Sequence, residues 1–152
     1  MEKRYLNPKE LGAAPRFYSH AVSVTTPGKL LYVSGQVSWG PDGKAVGAGD
    51  MRAQCARIFQ NLTSVLRAAG AGWNDVIKMN AYMVGLNAEN VAAYREGRAA
   101  HFKGTTPPAS TLVGVTSLVD PDLLLEVEVV AALGAAARHP ATKKKAAKKK
   151  RR

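Results

Sequence analysis

The chain has 152 residues, of which 46% are hydrophobic and 22% charged, and its formal net charge is +11. This length and composition indicate one globular domain with a core of its own. The single cysteine, Cys55, excludes an intrachain disulfide, and the widely spaced histidines give no zinc-binding pattern. The sequence contains neither a secretory signal nor a run of about 20 apolar residues, which predicts a soluble, cytoplasmic protein without a membrane partner.

The positive charge is concentrated at the end of the chain. Nine of the 22 lysine and arginine residues follow Leu133, whereas all 11 acidic residues precede Gly134. The part up to Leu133 therefore carries 13 basic and 11 acidic side chains, a net charge of only +2. We accordingly divide the chain into a folded domain at 1–133 and a basic tail at 134–152.

The first predicted element is a β-hairpin. Residues 1–15 contain two prolines and show little periodicity, which predicts an irregular start. Residues 18–24 and 29–35 are rich in β-branched and aromatic side chains, and they flank Pro27-Gly28, a turn signal. We therefore expect these two runs to pair with each other as antiparallel strands.

The clearest predicted helix follows Asp50, whose carboxylate can accept a hydrogen bond from an amide of the first helical turn. Apolar side chains recur at helical spacing from Cys55 to Ala69. Gly70 suits the left-handed conformation that commonly ends a helix. Cys55 is interpreted as a small core side chain of this helix.

The remaining predicted elements are a strand at 76–84, a helix at 88–102 capped by Asn87, a strand at 110–115 and a strand at 123–133. On the first of these strands, Ile77, Met79, Ala81 and Met83 are expected to share one face. The order of elements is ββαβαββ. It indicates an α+β fold with one mixed sheet and both helices packed on one face.

The last predicted strand has two unlike faces. One is wholly apolar and consists of Leu123, Leu125, Val127, Val129 and Ala131. The other is half apolar and half charged and consists of Leu124, Glu126, Glu128, Val130 and Ala132. The second face favours self-association, because a surface with that much apolar area is seldom left bare. The alternative is a partly solvated antiparallel face, which is common.

Five segments in this order resemble the RidA family, also called YjgF. They are Tyr18-Ser19-His20-Ala21-Val22, Leu31-Tyr32-Val33-Ser34-Gly35-Gln36-Val37, the helix from Gln54 to Gly70, Pro107-Pro108-Ala109-Ser110-Thr111 and Leu125-Glu126-Val127-Glu128-Val129. The resemblance covers roughly residues 16–133. It implies a chorismate-mutase-like fold whose sheets form a trimeric barrel, with small-molecule clefts between the subunits of the homotrimer.

The resemblance also implies an activity. Enzymes of the family hydrolyse reactive enamines and imines, such as 2-aminoacrylate, to a keto acid and ammonia, and they use no cofactor and no metal. An arginine binds the substrate carboxylate in a bidentate pair. A glutamate on the last strand helps to position the attacking water.

Carried over by position, the resemblance makes Glu126 the catalytic candidate and Tyr18, Ser34 and Ser110 the substrate-binding candidates. Ser110 occupies the position of the family's arginine, and a hydroxyl supplies neither a fixed charge nor a two-pronged donor. This departure places the chain in a divergent subgroup that lacks the arginine.

Other interpretations of these residues stay open. Glu126 can be a solvated carboxylate, and Tyr18 and Ser34 can be ordinary strand residues. Arg16, Arg95 or Lys103 can replace the missing cation, although each is more often a solvated charge.

The tail is predicted to be disordered, because its like charges repel and it has no apolar stripe. Its basic residues Lys143, Lys144, Lys145, Lys148, Lys149, Lys150, Arg151 and Arg152 suit polyanions such as nucleic acid. Without interleaved aromatic residues, any such binding is expected to be non-specific. The alternative is a solubilising tail without a partner.

Two functions follow from these observations. The first is a RidA-like protein that binds, and as an enzyme hydrolyses, a small enamine, imine or related metabolite at an inter-subunit cleft. The second is a non-catalytic metabolite-binding protein, or one associated with RNA or DNA through its basic tail.

Overall fold

The structure, a computed structural model, describes residues 1–11, 17–25 and 28–134. Its strands are β1 (Glu2–Leu6), β2 (Ala21–Thr25), β3 (Lys29–Gln36), β4 (Val76–Val84), β5 (Ala109–Val115) and β6 (Leu125–Leu133). Its helices are α1 (Met51–Ala68) and α2 (Ala88–Ala99). No helix in the described part of the chain has the length and apolarity needed to cross a bilayer. The predicted tail lies outside the described residues, apart from Gly134.

Four strands form the central sheet in the order β3-β6-β4-β5. β6 pairs antiparallel with both β3 and β4, and β5 pairs parallel with β4. The buried side chains of α1 and α2 pack together against one face of this sheet, which confirms the predicted α+β fold with a mixed sheet. The parallel pair follows from the long connection through α2, because parallel neighbours need a crossover.

The predicted hairpin between residues 18–24 and 29–35 is wrong. β2 pairs with β1 in a separate two-stranded sheet, and β3 pairs with β6. The prediction of an irregular start at residues 1–15 is therefore wrong for Glu2–Leu6, which form β1. β3 pairs with β6 because its inward side chains are then buried beside the apolar face of β6. β1 provides hydrogen-bond partners for the backbone N–H and C=O groups of β2.

The predicted helix after Asp50 is confirmed as α1. The Asp50 carboxylate accepts hydrogen bonds from the amides of Arg52 at 2.9 Å and Ala53 at 3.1 Å. Gly70 adopts a φ of 73° just beyond the helix, a conformation that favours glycine. Cys55 is fully buried in the core as predicted, and burial raises the pKa of its thiol to about 12.

The predicted strand at 76–84 is also confirmed, with one difference in its faces. Met79, Ala81 and Met83 are buried under the helices, but Val76 is buried in place of Ile77. The pairing of β4 with β6 shifts register between Val76 and Lys78. Such an irregularity interrupts the alternation of side chains, so that Val76 instead of Ile77 faces the helices.

Buried Gln54 connects α1 to the start of β6. Its side-chain amide nitrogen donates to the Gly47 carbonyl at 3.1 Å and to the Asp122 carbonyl at 2.7 Å. Its side-chain oxygen accepts from the Leu124 amide at 2.8 Å. These bonds tie the loop before α1 to the loop before β6, and the Gly47 carbonyl also accepts from the Asp50 amide at 2.9 Å.

We expect Gln54→Leu to lower the free energy of unfolding by about 2 kcal/mol, because the Asp122 carbonyl and the Leu124 amide lose their partner, while the Gly47 carbonyl keeps its bond from the Asp50 amide. Urea unfolding followed by circular dichroism measures the change. Gln60→Leu, on an exposed position of the same helix, is the matched control and is expected to stay within about 0.5 kcal/mol of the wild type. An equal loss of unfolding free energy in Gln54→Leu and Gln60→Leu would contradict this role of the Gln54 side chain.

Candidate functional site

The sheet face opposite the helices carries most of the polar candidates, and we call it the outer sheet face. Its members are Tyr32, Ser34, Lys78, Asn80, Tyr82, Thr111, Val113, Glu126, Glu128 and Val130. The alternation of strand side chains places them together, since their intervening neighbours face the helices. On the central strands the register sets Asn80 opposite Glu128 and Tyr82 opposite Glu126.

Glu128 is held in a hydrogen-bond network on this face. One carboxylate oxygen accepts from Asn80 Nδ2 at 2.7 Å and from the Tyr82 hydroxyl at 3.1 Å. The bond to Glu128 raises the pKa of Tyr82 above its ordinary value, because the carboxylate binds the protonated phenol. Glu128 is therefore occupied as an acceptor and holds its neighbours in place.

Glu126 lies against the backbone of β3. A Cβ added at Gly35 would stand only 2.6 Å from Glu126 Cδ, so any larger residue here would displace the Glu126 carboxylate from its position. The pairing of β3 with β6 shifts register between Val33 and Gln36, which brings Gly35 into this close approach. The structure thus brings the Glu126 carboxylate next to the Ser34-Gly35-Gln36 segment.

The Glu126 carboxylate opens onto a cleft of about 450 Å³ that Tyr82, Ser117 and Val119 also line. Among the described residues, no hydrogen bond is made to this carboxylate, in contrast to that of Glu128. Ser34 lines a second cleft of about 250 Å³ on the same face, together with Lys78 and Asn80. The two clefts share Glu128.

The other two predicted residues lie elsewhere. Ser110 pairs in register with Met79 and interacts with Tyr94, so it is on the helix side of β5. Exposed Tyr18 adjoins Ser19, which bridges to Ala109 at the start of β5. The Glu126 cleft is on the outer sheet face beside Val115, at the end of β5, whereas Tyr18 adjoins the start of β5 and Ser110 faces the helices, so one protomer brings neither residue to that cleft.

Neither of the two substitute cations that the structure describes, Arg95 and Lys103, lines the Glu126 cleft. Arg95 places its guanidinium 4.8 Å from the centre of the Phe17 ring, on α2. Lys103 is exposed, and Arg16 lies outside the described residues. Within the described residues, no group of three or more His, Cys, Asp or Glu side chains is arranged to hold a metal ion.

Sequence reasoning did not select Asn80 and Tyr82 as site residues. The alternation of side chains along β4 places Asn80 and Tyr82 on the same face, and this was the one sequence signal that could have indicated them. Their convergence on Glu128 depends on the pairing of β4 with β6, which joins residues 48 and 46 positions apart. A single strand pattern does not specify that pairing.

The sequence profile of the Endoribonuclease L-PSP family matches residues 9–133. A RutC family protein of Pyrococcus abyssi is 34% identical over 124 residues, which span 82% of this chain and 89% of the relative. The mitochondrial protein Mmf1 of Saccharomyces cerevisiae is 33% identical over 117 residues, which span 75% of this chain and 73% of the relative.

Solved structures agree with these sequence relatives. The crystal structure of YyfB of Yersinia pestis, from the conserved Rid protein family, has a TM-score of 0.79 and 37% identity, covering 88% of this chain and 100% of that one. The crystal structure of yeast Mmf1 has a TM-score of 0.61 and 30% identity, covering 87% of this chain and 99% of that one. The likeness extends over nearly all of the predicted domain.

We expect Glu128→Gln to lower the pKa of Tyr82 towards that of a free phenol, because the stabilising carboxylate acceptor is removed. Alkaline titration of phenolate absorbance measures it, with the matching Tyr82→Phe protein subtracted to isolate one of the five tyrosines. Glu89→Gln, at an exposed carboxylate on α2, is the control and should leave the curve unchanged. An unaltered Tyr82 pKa in Glu128→Gln would show that the network does not form.

Proposed function

Because the chain belongs to the Endoribonuclease L-PSP family, also known as the RidA or YjgF family, we propose that it hydrolyses a small enamine or imine to a carbonyl compound and ammonia. The observation that carries this proposal is the Glu126 carboxylate. It faces a cleft on the outer sheet face, beside the glycine that permits its approach, and the described residues leave its oxygens without a hydrogen-bond donor. Such a carboxylate is available to a water molecule.

The proposed chemistry needs one acceptor and one donor of a proton. An enamine first tautomerises to its imine by moving a proton from nitrogen to carbon. Water then adds to the carbon of the C=N bond, and Glu126 takes a proton from the water and passes it to the imine nitrogen, which gives a neutral carbinolamine. Glu126 next takes the hydroxyl proton of the carbinolamine and passes it to the amine nitrogen, which leaves as ammonia as the C=O bond forms. The neighbouring Tyr82 hydroxyl donates its hydrogen bond to Glu128, so it offers its oxygen to the same cleft as a hydrogen-bond acceptor. The reaction as proposed calls for no cofactor and no metal.

We propose that the working unit is a homotrimer. Tyr32 on the outer sheet face is 74% exposed and Val113 is 41% exposed, which leaves apolar surface for a second copy to cover. Tyr18 and Ser110 lie at the opposite edge of the sheet from Ser34, so a cleft that uses all of them requires two protomers. This separation supports a site between subunits for a small-molecule metabolite.

Ser110 narrows the proposed substrate. A serine at this position offers no guanidinium fork, and its side chain is directed to Tyr94 on the helix side of the sheet. We infer that the substrate of the Glu126 cleft is recognised without a bidentate carboxylate contact at residue 110. Imines without a carboxylate therefore suit the site better than 2-aminoacrylate.

The cytoplasm is the proposed compartment. The single cysteine is buried and unpaired, as suits a reducing environment but is not specific to it. One relative, yeast Mmf1, is named as a mitochondrial protein.

We expect Glu126→Gln to reduce ammonia release at least about 100-fold, because the amide keeps the shape of the side chain but accepts no proton. Ammonia is measured with 2-aminoacrylate and with a series of larger enamines and imines. Glu89→Gln is the matched control and should retain wild-type rates. Sedimentation of each protein checks that it has the same oligomeric state. Wild-type rates in Glu126→Gln, or no hydrolysis of any substrate by the wild type, would refute the proposal.

A second candidate function rests on the basic tail, which carries eight lysine and arginine residues between 143 and 152. It is a binding protein that the tail associates with RNA or DNA. Deleting residues 138–152 should abolish retention on nucleic acid while leaving imine hydrolysis intact. For the full chain, the logarithm of the affinity should fall with the logarithm of salt concentration at a slope of about −6 to −7. Retention by the truncated protein would contradict this role of the tail.

A further inference from the structure

Arg98, near the end of α2, is a buried cation on the helix side of the sheet. Only 5% of its surface is exposed. Its Nη1 donates to the Phe17 carbonyl, and its guanidinium lies 5.4 Å from the centre of the Phe102 ring. Its Nε and Nη2 are buried and have no hydrogen-bond partner among the described residues. A charged group in this condition is unfavourable unless something pairs with it.

The two unpartnered nitrogens are the pair that binds carboxylates side-on. In a planar guanidinium, the N–H of Nε and one N–H of Nη2 point in the same direction from one edge. This edge matches the two oxygens of a carboxylate, and such bidentate pairs are among the strong hydrogen bonds in proteins. The remaining nitrogen, Nη1, donates to the Phe17 carbonyl and leaves this edge to another acceptor.

The chain itself has no acidic side chain for this edge. All 11 aspartate and glutamate residues lie within the described ranges, since residues 12–16, 26–27 and 135–152 contain none. None of the 11 forms an ion pair with Arg98, and the ion pair found in the described part joins Arg52 and Glu96. The anion that complements Arg98 must therefore come from outside these side chains.

Arg98 borders a cleft of about 200 Å³ that is lined by the end of α2, by the loop after α2 and by Phe17. Phe17, Phe102 and Pro107 give the cleft apolar walls, and Thr105 adds a hydroxyl. Arg95 lines the cleft as a second cation. The volume is below that of a site for drug-sized ligands and suits a small metabolite.

We propose that this cleft binds a small carboxylate with an apolar or aromatic body, whose two oxygens pair with Nε and Nη2 of Arg98. The apolar body lies between Phe17 and Phe102, and Arg95 attracts the anion to the entrance. Because both nitrogens are shielded in the unliganded protein, the Arg98 side chain turns towards the cleft as the carboxylate enters. The site lies across the sheet from Glu126 and is separate from the proposed hydrolysis.

Titration calorimetry on the full-length protein tests this proposal with benzoate as the probe. Benzamide has the same ring without the charge, and inorganic phosphate has charge without the ring. We expect saturable binding of benzoate, at least tenfold weaker binding of phosphate and none of benzamide. The absence of benzoate binding at millimolar concentration would overturn the proposal, and equal affinity for phosphate would overturn the assignment to carboxylates.

Variants identify the residue responsible. Arg98→Met should weaken benzoate binding by about 10- to 100-fold, because the charged hydrogen bonds are lost. It should change the melting temperature of the unliganded protein little, because the lost hydrogen bond to the Phe17 carbonyl is offset by removal of a buried charge that has no acidic partner. Arg98→Lys keeps a charge without the two-pronged edge and should also bind more weakly. If Arg98→Met does not fold, the benzoate affinity of Arg98→Lys tests the proposal instead.

Two control variants complete the test. Arg67→Met, at an exposed arginine in the last turn of α1, should bind benzoate like the wild type. Glu126→Gln should also keep full benzoate affinity, because its carboxylate is on the other face of the sheet. Unchanged affinity in both Arg98 variants would overturn the proposal.

Discussion

The alternation of side chains along β6 is the constraint on which the rest of the molecule depends. Leu125, Val127, Val129 and Ala131 are wholly buried and supply the floor on which both helices pack. Because the strand period is two, burying these residues fixes Glu126 and Glu128 on the opposite face. A slip of one residue would place both carboxylates in the core, so the register that stabilises the fold also positions the candidate site.

The two carboxylates of β6 are alike in sequence but differ in their surroundings. Glu128 meets donors from Asn80 and Tyr82 and is fixed by them. Glu126, two residues earlier, meets the backbone at Gly35 and an open cleft. The partner strands therefore decide which carboxylate is held by hydrogen-bond donors and which faces the cleft. These different surroundings arise from pairing between strands that are far apart in the sequence. The residues next to each glutamate in the sequence do not predict them.

Much of the fold could be predicted from local patterns in the sequence. Asp50 and Gly70 delimit α1 through capping chemistry, and the alternation of β4 and β6 identifies their buried faces. β1 escaped prediction because its sequence, Glu-Lys-Arg-Tyr-Leu, has no apolar alternation. The partner of β2 escaped because a turn signal reports a change of direction and not which strand is paired. The burial of Arg98 escaped because an arginine on a helix is most often solvated.

The pairing of β3 with β6 sets the order in which the molecule can be assembled on the ribosome. It joins residues about 100 positions apart, Lys29 to Leu133 at one end, and β6 is the last strand of the described chain. The helices and β4 are synthesised well before the strand that covers their apolar surfaces. The core therefore closes only after nearly the whole domain has been translated, and the nascent chain exposes its hydrophobic helix faces until then. A chaperone that holds such faces during synthesis would act on α1 first.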